Sequence, residues 1–161
     1  MANLKLLIDD DDFEDIDCTA FAIHTNLEAF RLAYFLNKTV GINLKVNENA
    51  KVVVQKETKH LFSNYIFEDK KNDVFWNLIE NENQIETQSQ TTDLFATQET
   101  FITKIYFIPE HKKVNYFLKV EGINNVYDSE EILEKIKTIN RISACYELDI
   151  NNLKSKNNLI Y

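Results

Sequence analysis

Apolar residues at helical spacing follow Thr25 and predict the first helix of the chain. Thr25 and Glu28 form a Thr-x-x-Glu capping pattern, in which each side chain satisfies a free N–H group at the helix start. Gly41 supplies a residue that can close the helix in the left-handed conformation. We expect a helix over residues 26–38 that buries one stripe, made of Ala29, Leu32, Ala33, Phe35 and Leu36.

A second helical pattern follows Asp128, which is a good N-cap residue. Lys135 and Lys137 lie near the end of this pattern, where positive charge is favourable to the helix dipole. The pattern places four apolar residues on one face: Ile132, Leu133, Ile136 and Ile139.

The rest of the chain is dominated by short runs of β-branched and aromatic residues, which are typical of strands. Residues 69–72 predict a hairpin turn, and the polar residues 80–92 predict a loop or an irregular edge. Pro109 lacks an N–H group for a β-ladder, so we expect a hairpin whose loop spans residues 109–113. The predicted strands are 5–8, 20–24, 42–46, 51–54, 64–67, 74–79, 101–108, 116–121 and 141–149.

The end of the chain is predicted to be β-structure as well. In the strand over residues 141–149 the alternation directs four residues inward, namely Ile142, Ala144, Tyr146 and Leu148. The short C-terminal tail, residues 153–161, is expected to add one more strand. The whole chain, residues 1–161, is therefore predicted to be a single α+β domain, an antiparallel β-sheet with two α-helices packed on one face.

Composition excludes several classes of nucleotide-binding protein. The chain is 44% hydrophobic and 27% charged, which is typical of a folded globular protein. It contains only two glycines, Gly41 and Gly122, and one proline. Glycine-rich loops that hold phosphates need several glycines, so neither a dinucleotide-binding fingerprint nor a P-loop can be present.

Negative charge is concentrated in one segment. Seven acidic residues lie within residues 9–17, hereafter the acidic segment, and without them the formal net charge of -8 falls to about -1. A calcium loop starting at Asp9 would need glycine and glutamate where Glu14 and Ala20 stand, so we interpret the segment as a solvated acidic surface. The net charge also disfavours binding to generic duplex nucleic acid.

Cysteine and histidine positions indicate neither a disulfide framework nor a metal site. Cys18 and Cys145 are far apart in sequence, and the three histidines have no metal-ligand spacing. We expect reduced thiols and no cofactor. No secretory signal and no apolar run of about 20 residues is visible, so we expect a cytoplasmic protein with no membrane partner.

Residues 108–116 read I-P-E-H-K-K-V-N-Y and resemble the signature of the bacterial IPExxxVDY family. Asn115 is the one departure, since the family pattern has aspartate there. Residues 30–37 and 153–156 also resemble this family, so the resemblance covers the whole chain. It implies a bacterial cytoplasmic protein and supplies no activity. Asparagine at position 115 disfavours a mechanism in which two carboxylates, one of them Glu110, act together.

We identify no catalytic residue and no metal ligand, but the sequence offers candidates for an interaction surface. Arg31 lies in the first helix among apolar neighbours, and we expect Glu28 or the acidic segment to be its partner. The other candidates come from the signature and the tail: Glu110, His111, Lys112, Asn115, Tyr116, Lys154 and Lys156.

Three functions remain open at this point. The leading hypothesis is a non-enzymatic module for protein interaction or assembly, whose partner is another protein or a second copy of the chain. The first alternative is an RNA or ribonucleoprotein-associated factor that uses exposed aromatic residues and four lysines: Lys112, Lys113, Lys154 and Lys156. The second alternative is an enzyme or small-molecule binder with an unrecognised site.

Overall fold

The computed structural model describes residues 18–55, 57–88, 99–123 and 127–160. The predicted strand over residues 5–8 and the acidic segment lie outside these ranges. The described strands are β1 (Cys18–Thr25), β2 (Lys45–Val46), β3 (Lys51–Gln55), β4 (Thr58–Phe62), β5 (Asn64–Asp69), β6 (Val74–Glu80), β7 (Glu82–Gln88), β8 (Thr100–Tyr106), β9 (Tyr116–Glu121) and β10 (Ile142–Glu147). The helices are α1 (Ala29–Val40) and α2 (Ser129–Lys137), with short 3-10 helices at Pro109–His111, Ile150–Asn152 and Lys156–Asn158.

Six strands form one antiparallel sheet in the order β10-β1-β9-β6-β5-β2. The other four strands form two separate ribbons, the β3–β4 ribbon and the β7–β8 ribbon. Strand β1 lies between the two strands that come last in sequence, and its residues 20–23 are completely buried.

Both helices pack on the same face of the sheet and contact each other. This confirms the predicted α+β fold with two helices on one face. The apolar stripe of α1, with Leu32 and Leu36 at its centre, meets Trp76, Leu78 and Leu118 of the sheet in the helix-side core. Alternate residues of β1, β6 and β9 point into this core because side chains alternate along a strand.

The opposite face of the sheet is covered as well, by the β3–β4 ribbon, residues 107–114 and the C-terminal tail. This tail-side core is made of Ala20, Ala22, Val53, Phe62, Ile79, Phe107, Ile108, Val114, Phe117, Leu148, Ile150, Leu153 and Leu159. Since both faces are covered, even Lys119 in β9 is almost completely inaccessible. Its Nζ forms an ion pair with a carboxylate oxygen of Glu121.

The ends of the helices follow from local chemistry, with one correction. Gly41 closes α1 at φ 83°, and the Asp128 side chain accepts the N–H of Glu130 at 3.0 Å, both as predicted. The predicted capping box is wrong, because α1 begins at Ala29. Thr25 instead accepts the N–H of Leu27 at 3.1 Å and donates to the carbonyl of Arg141 at 2.8 Å.

Two predictions about the middle of the chain are wrong. Residues 82–88, predicted as part of a loop or an irregular edge, form the regular strand β7, which pairs with β8 over its whole length. The predicted hairpin around Pro109 does not exist, because β8 pairs with β7 whereas β9 pairs with β1 and β6. Two strands that are consecutive in sequence are here separated in space by the turn that follows Ile108.

The predictions for the end of the chain are also wrong in part. In β10, Cys145 is buried whereas Ala144 and Tyr146 are exposed, because the face that carries Cys145 is the one covered by α2. The tail adds no strand among its described residues. It forms 3-10 turns instead, and these place Leu153 and Leu159 in the tail-side core. No helix in the described ranges is long and apolar enough to span a bilayer.

Candidate functional site

Residues 108–115, hereafter the corner loop, are organised by Asn81. This residue follows β6 and is completely buried. Its Nδ2 donates to the carbonyls of His111 at 2.9 Å and Val114 at 2.8 Å, and its Oδ1 accepts the N–H of Ile108 at 2.9 Å. Its main chain also bonds to Phe107 and Asn115, so one side chain fixes both ends of the loop.

Glu110 fastens the corner loop to the C-terminal tail. Its carboxylate accepts the N–H of Ser155 at 2.8 Å and the hydroxyl of Ser155 at 2.7 Å. Burial raises the pKa of Glu110, but the hydrogen bonds to its carboxylate, those from Ser155 followed by those from the N–H groups of residues 110 and 154, together outweigh it, so the pKa lies below its ordinary value. Glu110, a predicted contact for another protein, is therefore hydrogen-bonded within its own chain.

Asn115 and Tyr116 join the corner loop to the start of α1. The Oδ1 of Asn115 accepts the N–H of Thr25 at 2.9 Å, a role that an aspartate oxygen would fill equally well. The Tyr116 hydroxyl donates to the carbonyl of Leu27 at 2.9 Å, and burial raises its pKa to about 12. Both residues thus contribute to architecture.

The remaining predicted residues of this region are His111 and three lysines, and the structure leaves them near the surface. The Nζ of Lys112 lies 5.6 Å from the centre of the Tyr106 ring. His111 and Lys156 are half-buried, and Lys154 is exposed next to Ser155. These lysines surround the corner loop and the tail, and none of the three lines a groove with the exposed aromatic residues of α1.

An acidic groove of about 440 Å³ separates the start of α1 from the corner loop. Its lining includes Glu28, Glu80, Glu82 and Lys112. Burial, and secondarily the charge of Glu82, raises the pKa of Glu80. Glu82 is paired with Lys104 at 2.9 Å, and this hydrogen bond lowers its pKa. Within the described ranges no group of three potential ligands could hold a metal ion.

The thiol of Cys145 lies in the protein interior. Its burial raises the pKa of the thiol to about 12, against a smaller opposing effect of Lys137. The thiolate is the reactive form, so burial disfavours a nucleophilic role for Cys145. Cys18 is half-buried, and neither cysteine forms a disulfide in this structure.

The most distinctive surface is an aromatic row on the outer side of α1. Phe30, Arg31, Tyr34 and Phe35, hereafter the aromatic face, pair at i and i+4 along the helix. Phe30 is 56% exposed, Tyr34 60% and Phe35 37%. The rings of Tyr34 and Phe35 meet edge to face at 5.5 Å. Sequence reasoning selected Arg31 here but assigned Phe35 to the buried stripe, so it missed this face.

The aromatic face borders a groove of about 610 Å³, which we call the aromatic groove. The opposite wall is the turn between α2 and β10, formed by Asn140 and Arg141. Arg141 adopts φ 73°, and its carbonyl is held by the hydroxyl of Thr25. Leu27 completes the lining, so the groove combines apolar walls with two guanidinium groups.

The two arginines of this groove differ in their partners. The Nε of Arg31 lies 3.6 Å from the Oε2 of Glu28, as the sequence predicted, and its guanidinium lies 5.8 Å from the centre of the Phe30 ring. Among the described residues, no carboxylate forms an ion pair with Arg141.

Comparisons of the chain with protein-family models, with curated proteins and with solved structures find no match. Inference about function therefore depends on the surfaces described above.

Proposed function

We propose that this chain is a non-enzymatic, cytoplasmic protein-interaction module that binds a protein partner through the aromatic face of α1. The observation that carries the proposal is the exposure of Phe30 and Tyr34, each more than half accessible on one side of a single helix. Aromatic residues and arginine are enriched in protein interfaces and dominate their binding energy.

The fold does not need the aromatic face. Helix α1 already buries a complete apolar stripe against the sheet, formed by Leu32, Ala33, Leu36 and Val40. Fully burying one large apolar side chain stabilises a protein or a complex by about 1.5–3 kcal/mol, so exposed rings forfeit this energy until a partner covers them. A contiguous exposed apolar patch is therefore evidence for an interaction site.

Arg31 and Arg141 support the same proposal. They lie on the two walls of the aromatic groove. Their guanidinium groups can orient a bound partner, while the aromatic rings supply the apolar surface that it buries. Planar guanidinium groups form paired hydrogen bonds with carboxylates, which are abundant on protein surfaces.

The alternatives have less support from the same surfaces. An RNA factor would need its lysines beside exposed stacking rings, whereas Lys112 lines the acidic groove and lies over the half-buried ring of Tyr106, and Lys154 lies at the tail. The formal net charge of -8 also opposes nucleic acid. We further propose, on the residues 108–116 signature, that the chain is a member of the IPExxxVDY family.

The test is copurification of partners from a native lysate on the wild-type chain and on two matched double variants. Phe30→Ala/Tyr34→Ala removes the aromatic face, and Phe101→Ala/Ile102→Ala removes two residues of β8 that are 53% and 62% exposed. We expect the first variant to lose the specific partner and the second to retain it.

Thermal unfolding by circular dichroism provides the folding control, since both substitutions are on the surface and should change stability by less than about 1 kcal/mol. Equal capture by the wild type and the α1 variant would contradict the proposal. If only the β8 variant lost the partner, the interaction surface would lie on the β7–β8 ribbon instead.

A further inference from the structure

The aromatic groove has a local charge opposite to that of the whole chain. Among the described residues, its lining contains Arg31 and Arg141 and no carboxylate, although the formal net charge of the protein is -8. Glu28, one turn before Arg31 in the chain, pairs with Arg31 at 3.6 Å while both side chains remain more than half exposed. Such an exposed pair is weak, so a better anionic partner can replace it.

The acidic segment is complementary to this groove in charge and in apolar content. It reads D-D-D-D-F-E-D-I-D over residues 9–17, with seven carboxylates and no cation. Phe13 and Ile16 are its two large apolar residues. A segment of this composition would place carboxylates on the guanidinium groups and an apolar side chain against the rings of the aromatic face.

We propose that the aromatic groove binds the acidic segment of a second copy of this chain. The inference rests on the proposed function, since it names the partner of the same aromatic face. Where each copy binds the segment of the other, the interface is reciprocal and closes as a symmetric dimer.

The length of chain before β1 favours a second copy over the same copy. Arg141 lies at the Thr25 end of β1, since Thr25 bonds to its carbonyl and pairs with Ile142. A strand rises about 3.3 Å per residue, so Cys18 lies about 23 Å from that end. A fully extended chain spans at most about 3.5 Å per residue, so Ile16, two residues before Cys18, would end about 16 Å short of the Thr25 end of its own chain, whereas residues 9–13 can come within side-chain reach of it. A second copy has no such limit and can bind the whole segment, including Ile16.

The test is the oligomeric state of the full chain, measured by analytical ultracentrifugation at low and at high salt. Two variants separate the two halves of the contact. The groove variant is Arg31→Glu/Arg141→Glu, and the segment variant replaces the seven acids of residues 9–17 with Asn or Gln. We expect the wild type to sediment at twice the chain mass of 18.9 kDa and to dissociate at high salt.

Each variant alone should be monomeric, because each lacks one side of the contact. An equal mixture of the two should form a heterodimer, since one chain retains the groove and the other retains the segment. The matched control is Lys70→Glu/Lys71→Glu, which makes the same charge change at the exposed turn before β6 and should leave the dimer intact.

A labelled peptide of residues 9–17 is the direct probe. It should bind the segment variant, and Arg31→Glu/Arg141→Glu in that background should weaken binding by at least about tenfold, which corresponds to 1.4 kcal/mol. A wild type that is monomeric at every concentration, or a groove variant that still dimerises, would overturn the inference. If the dimer failed this test but capture of a partner still depended on Phe30 and Tyr34, the proposed protein-interaction function would stand and only the identity of the partner would be wrong.

Discussion

Asn81 is a small polar residue on which a whole loop depends. Replacing it with alanine leaves the N–H of Ile108 and the carbonyls of His111 and Val114 without their bonds in a buried place. We expect Asn81→Ala to lower the free energy of unfolding by about 2–4 kcal/mol in urea titrations. The control Asn152→Ala, which removes one exposed bond to Asp149, should cost less than about 1 kcal/mol. Similar losses for both would contradict this role.

Glu80 is expected to behave in the opposite way, because its substitution should stabilise the protein. Burial raises the folded pKa of Glu80 above its ordinary value of 4.5, so the folded state carries a penalty that appears as pH rises above 4.5. We expect Glu80→Gln to be more stable than the wild type at pH 7 and to gain nothing well below pH 4.5, because the penalty belongs to the charged carboxylate.

Urea unfolding at the two pH values measures this difference. Glu86→Gln, an exposed glutamate of the neighbouring strand β7, is the control and should change stability at neither pH. A loss of stability at pH 7 for Glu80→Gln would show that the Glu80 carboxylate makes a favourable contact.

At the scale of single residues, sequence reasoning succeeded where the chemistry is local. Gly41 and Asp128 act on residues within a few positions of themselves, and both were predicted. Asn81 was missed because its partners lie about 30 positions further along the chain, and nothing in its neighbours indicates them. Phe30 and Tyr34 were missed because an apolar residue in a helix is normally a core residue.

Among elements, the strands with strong apolar patterns were predicted and the polar ones were not. β1, β6 and β9 are buried on both faces and consist mainly of apolar residues. β7 reads E-N-Q-I-E-T-Q and is mostly exposed, so its pattern is indistinguishable from that of a loop. The prediction of a hairpin at Pro109 was wrong for another reason. Strands β8 and β9 are consecutive in sequence, but consecutive strands need not pair with each other.

The tail is the element whose attachment depends on pH. The carboxylate of Glu110 has a folded pKa below its ordinary value of 4.5, because it accepts two bonds from Ser155. Its stabilising contribution is therefore complete above pH 4.5 and is lost as pH falls through the folded pKa. We expect Glu110→Gln to be less stable than the wild type at pH 7, with a difference that shrinks below pH 4.5.

A double-mutant cycle with Ser155→Ala isolates the hydroxyl half of this contact, because the N–H of residue 155 remains in that variant. In the Ser155→Ala background, Glu110→Gln should have a smaller effect on urea unfolding, and the effect should change less with pH. An unchanged effect in that background would assign the role of Glu110 to the N–H bond and not to the Ser155 hydroxyl.

For the molecule as a whole, charge gives the clearest expectation. The formal net charge of -8 creates a field that repels phosphates. We expect no submicromolar binding to unrelated DNA or RNA duplexes at physiological salt, measured by fluorescence anisotropy. The groove variant Arg31→Glu/Arg141→Glu should behave identically. Tight binding that weakens steeply with salt, and that is lost in this variant, would support the RNA alternative instead.

The fold class was predictable because two amphipathic helices and many short strands permit few arrangements. The second layer was not predictable, because the tail that forms much of it was expected to add a strand, and its isolated apolar residues do not indicate that they cover the sheet. Lys119 is an example. A lysine in a strand normally indicates a face exposed to solvent, whereas the tail-side face of β9 is covered and Lys119 is buried. Of the residues that line the aromatic groove, the sequence identified only Arg31 as a candidate for binding.

The position of β1 within the sheet determines when the chain can fold during its synthesis. Its two neighbours, β9 and β10, pair with it through residues roughly 90 to 130 positions later, as in the Thr19–Val120 and Phe21–Glu147 pairs. During synthesis the apolar strand β1 therefore leaves the ribosome long before either neighbour exists. Folding must wait for the last third of the chain, which predicts slow, late folding and a nascent chain that chaperones can recognise.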